Sequence, residues 1–151
     1  MNHNDAPQYP IRVAAQLIGV SVHTLRMYER EGLIIPFKDG SKHRRYSQTD
    51  IDRLRCLRDA INRDKISIEG IKRIFALIPC WRVIGCPDSE RISCPAFNGH
   101  TKPCWMFNHK NICSRQECRT CTVYKDLSNC DAVKGILRNY FSTHLATMEK
   151  K

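Results

Sequence analysis

Long apolar runs are missing from this sequence of 151 residues, and none approaches the ~18 residues that a membrane span needs. Its start, MNHNDAPQYP, lacks the basic-then-apolar pattern of a secretion signal. The sequence also lacks a glycine-rich phosphate loop, a nucleophile elbow and an acid–base pair suited to catalysis. These absences indicate a cytoplasmic protein that has no membrane partner and is not an enzyme.

Acidic residues are scarce relative to basic ones. The chain has 25 Lys and Arg against 15 Asp and Glu, which gives a formal net charge of +10. Such a surface attracts polyanions, either nucleic acid or an anionic membrane face, although a basic surface can also serve solubility alone. Within residues 38–46 a single aspartate, Asp39, stands among four cations: Lys38, Lys42, Arg44 and Arg45. This segment is therefore the first candidate for contact with a polyanion.

The apolar pattern of the first half predicts two short helices joined by a tight turn. From Ile11, apolar residues recur at helical spacing until Gly19, which ends the first helix and permits the turn. Ser21 then occupies the N-cap position of a second helix. Two helices in this arrangement form a helix-turn-helix. The second helix carries side chains that can reach base edges or phosphates, namely His23, Thr24, Arg26 and Arg30.

A basic hairpin and two further helices are predicted next. Residues 33–35 suit a short strand, Asp39-Gly40 is a turn signal, and residues 42–46 form the returning strand. A hairpin of this kind is the expected wing of a winged helix. Two helices follow, the first opened by a capping box at residues 47–50 and the second by Ser67.

Nine cysteines are present, and their placement is uneven. Cys56 stands alone in the first half, whereas the other eight are Cys80, Cys86, Cys94, Cys104, Cys113, Cys118, Cys121 and Cys130. A secreted protein would pair such cysteines in disulfides, but a cytoplasmic one uses them for metal binding or redox chemistry. Residues 80–130 show no helical period and have few other apolar residues, so this region needs a metal or cross-links to hold one shape. All eight cysteines are therefore candidate metal ligands.

The spacing leaves the identity of the metal open. Only Cys118 and Cys121 have the two-residue gap that lets neighbouring thiolates bind one metal, which is half of a zinc motif. Iron–sulfur clusters tolerate irregular spacing, and Cys-Pro pairs such as those at Cys86 and Cys94 occur around them. His100 and His109 could replace a thiolate. An iron–sulfur cluster, zinc and thiol–disulfide chemistry thus all remain candidates.

Residues 131–151 return to a helical pattern. The apolar stripe comprises Val133, Ile136, Leu137, Tyr140, Phe141, Leu145 and Met148. It is wide enough to pack on a partner helix, so we expect a homodimer formed through this helix. The predicted fold is mainly α and has four parts: a flexible tail (1–9), a winged helix-turn-helix domain (10–79), an irregular cysteine-rich region (80–130) and an amphipathic helix (131–151).

Several motifs between Ile11 and Ile78 resemble the DNA-binding domain of the MerR family of bacterial regulators. They are Arg12-Val13-Ala14, the run from Gly19 to Leu33, and His43-Arg44-Arg45-Tyr46-Ser47. The resemblance implies a dimer on near-palindromic double-stranded DNA operators, where it distorts the promoter spacer so that RNA polymerase can engage. It implies that the DNA-contacting residues are Arg12, His23, Thr24, Arg26, Tyr28, Lys42, His43, Arg44, Arg45 and Tyr46. For the two tyrosines the alternative is that their rings pack the wing onto the helices.

The second half departs from the MerR pattern. A typical member continues into a long helix that pairs with its twin, but this chain has Pro79-Cys80-Trp81 at that position. The region resembles a small bacterial module with two Cys-Trp pairs, the two-CW domain, here Cys80-Trp81 and Cys104-Trp105. We therefore expect a transcription regulator whose DNA binding or promoter distortion is controlled by a metal or redox centre. The alternatives are a DNA-binding protein whose metal is only structural, and a thiol-redox enzyme.

Overall fold

A computed structural model describes residues 3–107, 113, 117–127 and 131–148 of the chain. These residues are mostly helical and include one small three-stranded sheet. The chain divides into two compact units, Met1–Ile68 and Glu69–Lys151. Within the described ranges, no helix combines the length and the apolar character needed to cross a membrane.

The N-terminal unit contains three helices and a sheet. The helices are α1 (Ile11–Ile18), α2 (Val22–Arg30) and α3 (Gln48–Asn62), preceded by a 3₁₀ turn at His3–Asp5. The strands are β1 (Tyr9–Pro10), β2 (Phe37–Lys38) and β3 (Arg44–Tyr46), with β3 in the centre and both neighbours antiparallel to it. In register, Tyr9 faces Tyr46, and Phe37 faces Arg45.

The turn between α1 and α2 forms as the sequence predicts. Gly19 has a left-handed backbone with φ of 79°, and its N–H donates to the carbonyl of Gln16 at 3.2 Å. The next N–H, of Val20, donates to the carbonyl of Ala15 at 3.0 Å, which completes a Schellman motif. Ser21 caps α2, since its hydroxyl accepts from the N–H of Thr24. The glycine and the cap together set the direction in which α2 leaves α1.

The first wing strand lies further along the chain than predicted. Gly32 (φ 72°) ends α2 in a second Schellman motif, in which the N–H of Leu33 donates to the carbonyl of Tyr28 at 3.0 Å. This motif buries Leu33 and Ile34 in the core instead of placing them in a strand. The prediction of a strand at residues 33–35 is therefore wrong, and the wing begins at Phe37.

The N-terminal residues are also more ordered than predicted. Strand β1 pairs with β3, and the N–H of Gln8 donates to the carbonyl of Tyr46 at 3.0 Å. The Thr49 hydroxyl donates to the carboxylate of Asp5 at 2.7 Å. Residues 1 and 2 lie outside the described ranges. The flexible tail predicted at residues 1–9 is therefore wrong for residues 3–9, which pack on the sheet and on α3.

Helix α3 stabilises the pair formed by α1 and α2. The predicted capping box is confirmed: Ser47 and Asp50 exchange side-chain and backbone hydrogen bonds, and both are buried. Two arginines of α3 bind the carbonyls at the C-terminal end of α1. Arg55 donates to the carbonyl of Leu17 at 3.1 Å, and Arg58 donates to that of Ile18. These guanidinium groups satisfy carbonyls that a helix end leaves without partners and place positive charge at its negative end.

The second unit consists of short helices around a small core. In chain order these are α4 (Ile68–Ala76, which begins at the boundary), α5 (Cys80–Val83), α6 (Asp88–Arg91), α7 (Pro95–Asn98), α8 (Thr122–Lys125) and α9 (Ala132–Met148), with 3₁₀ turns at Cys104–Met106 and Cys118–Thr120. Its fully buried core is Ile78, Val123 and Leu127, onto which Val133 and Ile136 of α9 pack. The predicted helix at the C-terminus is confirmed, but its start already has a partner within the unit.

Aromatic rings fill much of this second core. Trp105 meets Tyr124 edge-on at 5.2 Å between ring centroids and Phe75 at 5.8 Å. Trp81 contacts Phe97 in the same T-shaped manner at 4.9 Å. Helix α4 supplies Phe75, and the compact unit to which it belongs begins at Glu69, whereas the sequence predicts a domain boundary at residue 79. The region thus has a small aromatic core that counting aliphatic residues did not reveal.

Gly19 offers a test of the turn. A Cβ at this position would lie 2.6 Å from Nη1 of Arg58, in a left-handed conformation. We expect Gly19→Ala to lower the free energy of unfolding of the N-terminal unit by about 1–2 kcal/mol. Denaturant unfolding followed by far-ultraviolet circular dichroism measures this, while fluorescence of Trp81 and Trp105 follows the second unit.

Gly40 provides the matched control, because a Cβ there meets no atom within 4 Å. Gly40→Ala should change the free energy of unfolding by less than about 0.5 kcal/mol. Equal destabilisation by the two substitutions would contradict the account of the turn.

Candidate nucleic-acid interface and cysteine-lined cavity

Helix α2 presents a basic, exposed face. Its apolar side is fixed by Leu25 and Tyr28, which are buried against the core. His23, Arg26 and Arg30 lie three and four residues apart and are all exposed, so they share the opposite side. Thr24 is half-buried, and its hydroxyl is 2.9 Å from that of Ser21. The helix can therefore offer an imidazole and two guanidinium groups to a partner without disturbing its packing.

The wing tip is closed by Asp39. Its carboxylate accepts hydrogen bonds from the N–H groups of Ser41 and His43, both at 3.0 Å, and from the Ser41 hydroxyl. These bonds, that of the Ser41 hydroxyl above all, hold the pKa of Asp39 below its ordinary value. The only acidic residue of the segment is thus used in the turn, and Lys42 and His43 remain exposed at the tip.

Glu29 links α2 to the wing. Its carboxylate accepts one hydrogen bond from Nε of Arg44 at 2.5 Å and another from the hydroxyl of Tyr46. The Glu29 side chain is only 10% exposed and that of Arg44 is 38% exposed. The pKa of Arg44 is raised, first by this hydrogen bond and then by the charge of Glu29. We call this arrangement of Glu29, Arg44 and Tyr46 the clamp.

Tyr28 and Tyr46, both predicted to contact DNA, pack inside the domain in this structure. Tyr46 is fully buried and Tyr28 is 3% exposed. Burial raises the pKa of both phenols, and for Tyr46 the bond to Glu29 raises it further. This burial favours the alternative given in the sequence analysis, in which both rings pack the wing onto the helices, while their contact with DNA stays a prediction.

The other predicted contacts lie on or near the surface. Alternate residues of a strand point to opposite faces, so Arg45 projects away from the clamp while Arg44 projects toward it. The exposed members of the predicted set are Arg12, His23, Arg26, Lys42 and His43, and the half-buried ones are Thr24, Arg44 and Arg45. Sequence reasoning missed Glu29, which reads as an ordinary solvated helix residue. The signal that could have found Glu29 was the pair Arg44-Arg45. Successive strand residues point to opposite faces, so one of the two arginines faces the helices, where an acidic partner stabilises its charge.

In the second unit, a cavity of about 270 Å³ brings the cysteines together. Its lining includes every cysteine of this unit that the structure describes, namely Cys80, Cys86, Cys94, Cys104, Cys113, Cys118 and Cys121. The rest of the wall is mainly apolar and comes from the aromatic core, with Trp81, Trp105 and Tyr124 among the lining residues. Seven of the eight predicted ligands thus share one cavity, and all seven are free thiols.

Two of the thiols are directly paired. Cys80 and Cys104, each following a proline and preceding a tryptophan, are joined by a side-chain hydrogen bond. This bond holds the pKa of Cys80 below its ordinary value and raises that of Cys104. Burial raises the pKa of Cys113 and of Cys86, and for Cys86 the carboxylate of Glu90 adds to the effect.

The thiols surround the cavity instead of meeting at one point. Across the described ranges, no three Cys, His, Asp or Glu side chains lie close enough together to hold one metal ion. His100 is exposed and does not line the cavity. Cys130 and His109 lie outside the described residues. Cys56, on α3, does not line the cavity and is not a candidate ligand.

The arrangement of the first half defines a class of protein. Two short helices around a glycine turn, a supporting third helix and a basic hairpin together form a winged helix-turn-helix domain. Residues 9–77 match the family described as MerR HTH family regulatory protein. These residues therefore form a helix-turn-helix domain of the MerR family. The match ends before Cys80, the first cysteine of the cavity.

Curated relatives agree with this assignment. HspR of Streptomyces coelicolor, by its name a heat shock protein, is 45% identical over 73 residues, which are 48% of this chain and 48% of the relative. The mercuric resistance operon regulatory protein of Pseudomonas fluorescens is 35% identical over 75 residues, or 49% of this chain and 51% of the relative. The HTH-type transcriptional regulator GlnR of Bacillus anthracis is 26% identical over 76 residues, or 50% and 58%.

The chain thus spans about half the length of the curated relatives it matches. No solved structure matches the chain at a significant level.

Removing one hydroxyl tests the clamp. Tyr46→Phe leaves the buried Glu29 carboxylate with Arg44 as its remaining clamp partner, and hydrogen bonds to charged groups contribute about 1.5–3 kcal/mol. We expect that loss in the free energy of unfolding of the N-terminal unit, measured by circular dichroism in denaturant.

Tyr9→Phe is the matched control. Tyr9 is the strand partner of Tyr46, and its hydroxyl donates to the neutral Gln48 side chain at 3.0 Å in a half-buried setting. This substitution should cost about 0.5–1.5 kcal/mol, as for a neutral pair. A larger loss from Tyr9→Phe than from Tyr46→Phe would show that the clamp does not stabilise the wing.

Proposed function

We propose that this protein is a transcription regulator that binds double-stranded DNA in a sequence-specific manner. The observation that carries the proposal is the basic face of α2 joined to a basic wing through the buried Glu29. The names of two relatives, a mercuric resistance operon regulatory protein and an HTH-type transcriptional regulator, support the same function. A cytoplasmic location follows from it.

Helix α2 is the part that reads sequence. An α-helix fits the major groove of B-DNA, where an arginine can donate two hydrogen bonds to one guanine. Arg26 is exposed near the middle of α2, and His23 lies one turn before it. These two side chains are our candidates for base contacts, and Arg30 is placed for the adjoining phosphates.

The wing supplies contacts that do not depend on sequence. Lys42 and His43 at its tip and Arg45 on its outer strand face are cations or a titratable imidazole that can approach the backbone phosphates. Phosphate contacts fix the orientation of a protein on the duplex. The clamp supports this role because it holds the wing at a set position relative to α2, so that both can engage one stretch of DNA.

We propose that the chain acts as a homodimer. One winged helix buries roughly 600–1,000 Å² on DNA, which is at the low end for a specific complex. By the family resemblance, the dimer would bend the promoter spacer and so assist RNA polymerase. Since Val133 and Ile136 pack within their own unit, we expect the pairing surface to lie on other residues of α9. The side chains of Tyr140, Phe141, Leu145 and Met148 lie outside the described residues.

We propose further that the cysteine-lined cavity controls DNA binding or promoter distortion through a metal or redox centre. The supporting observation is that seven thiols of an otherwise apolar core line the same cavity. A purely structural centre would leave DNA affinity the same in the loaded and emptied protein, provided that both are folded. Measuring operator affinity in both states separates the two roles.

Arg26→Ala tests sequence reading. The operator is first obtained by selecting tight binders from random-sequence DNA with the purified protein. We expect Arg26→Ala to weaken binding to that operator by about 1–3 kcal/mol and to leave binding to unrelated DNA nearly unchanged. Fluorescence anisotropy at one fixed salt concentration measures both affinities.

Arg63→Ala corrects for the lost charge. Arg63 ends α3, its side chain is 73% exposed, and its Nε is paired with Asp64 at 3.0 Å. Both variants lose one positive charge, but only Arg26 lies on the proposed reading face. An equal loss on operator and unrelated DNA for Arg26→Ala would remove it from base recognition, and failure to select any sequence would overturn the proposed function.

Sedimentation velocity tests the oligomeric state. The full chain should sediment with twice its mass of 17.5 kDa at the concentrations that saturate the operator, and each operator should bind two chains. A single chain on each operator would contradict the dimer and leave the DNA-binding domain unaffected.

A further inference from the structure

We infer that the cavity of the second unit binds a polynuclear iron–sulfur cluster through cysteine thiolates. The inference deepens the proposed control of DNA binding and rests on that proposal only for its effect on DNA. Whether the cavity holds a cluster is a separate question about the second unit, and the experiment below keeps the two questions apart.

The size of the cavity favours a group of several atoms. At about 270 Å³, it is several times the ~30 Å³ that one water occupies in the liquid. A single zinc ion holds its sulfur ligands at ~2.3 Å. A zinc site therefore closes around the ion and leaves no space of the size of this cavity between the sulfur atoms. A cluster places inorganic iron and sulfide between the thiolates and therefore suits thiols that stand around an open volume.

The chemistry of the wall selects a soft centre. Seven thiols line the cavity, and most other lining residues are apolar, among them Trp81, Val123 and Tyr124. Neither Asp, Glu nor His belongs to the lining that the structure describes. Thiolates with little oxygen donation suit iron–sulfur clusters and other thiophilic centres, and not the hard cations that prefer carboxylates.

A cation lies beside the thiols. Arg91 lines the cavity, and its position is fixed, because its guanidinium donates to the carbonyl of Cys86 at 2.7 and 2.9 Å and pairs with Asp88 at 2.6 Å. Four thiolates around an iron–sulfur core carry net negative charge. A fixed guanidinium at the wall offsets part of that charge in apolar surroundings.

Four thiols are the best candidates for ligands. Cys80 and Cys104 are already in hydrogen-bond contact, and Cys118 and Cys121 flank one 3₁₀ turn whose last N–H, of Cys121, donates to the carbonyl of Cys118 at 3.2 Å. Cys104 is within electrostatic reach of the other three. These four come from three separate segments, so a bound cluster would tie the segments together and contribute to the stability of the unit.

The test starts with the full chain purified without air and, where iron is low, incubated with ferrous iron and sulfide. We expect several iron atoms per chain, acid-labile sulfide in similar amount, and a broad visible absorption that oxygen bleaches. Zinc without sulfide would overturn the inference, and so would a chain that takes up neither iron nor sulfide while its circular dichroism shows it to be folded.

Variants then locate the ligands. Cys118→Ser with Cys121→Ser should abolish the iron and sulfide content, whereas Cys56→Ser, which lies outside the cavity, should retain both at the wild-type level. Equal iron in all variants would show that the iron binds elsewhere and would overturn the inference.

DNA binding by the same preparations separates the two proposals. If the chain holds a cluster but selects no DNA sequence, the cluster inference stands and the proposed regulatory function is wrong. If the chain binds its operator but takes up no iron or sulfide, the cluster inference is wrong and the proposed regulatory function stands.

Discussion

The buried Glu29 carboxylate is the group on which the binding surface of the N-terminal unit depends. A charge that is 10% exposed is stable only where hydrogen-bond donors surround it, and Arg44 and Tyr46 supply two of them from the same face of one strand. Removing either donor would leave the Glu29 carboxylate with one hydrogen-bond partner fewer and so weaken the contact between α2 and the wing. The position of the wing is thus set by electrostatics inside the unit, before any nucleic acid is present.

The rest of the unit holds α2 in the position in which Glu29 contacts Arg44 and Tyr46. Two Schellman motifs, at Gly19 and Gly32, fix both the entry to α2 and its exit. Arg55 and Arg58 hold the end of α1 from the side of α3, so the cations closest to the turn are committed to the fold. The second unit differs, since its small core of aliphatic and aromatic side chains lies beside a cavity lined by thiols.

Much of the first unit could be predicted from local patterns, because its determinants are short-range. The Ser21 cap, the Gly19 turn and the Ser47–Asp50 box each involve residues within a few positions, and all three are confirmed. The clamp could not be found in this way, since Glu29 and Arg44 are brought together only by the folded sheet. The same limit applies to Tyr46. A tyrosine suits both a DNA contact and a packed core, and only the folded structure shows that this ring is buried. In the second unit, spacing between cysteines said nothing of the cavity, because the thiols come from separate turns.

One consequence concerns how the two halves can be recombined. The family match runs to residue 77, yet the compact unit that contains the wing ends at Ile68. Helix α4 therefore lies within the family match by sequence, but it packs in the cysteine-rich half, where Phe75 and, just beyond the helix, Ile78 belong to the core. A chimera or gene fusion cut at the end of the family match would separate this helix from its packing partners. An exchange of the C-terminal half is better made before α4, in the loop that follows α3.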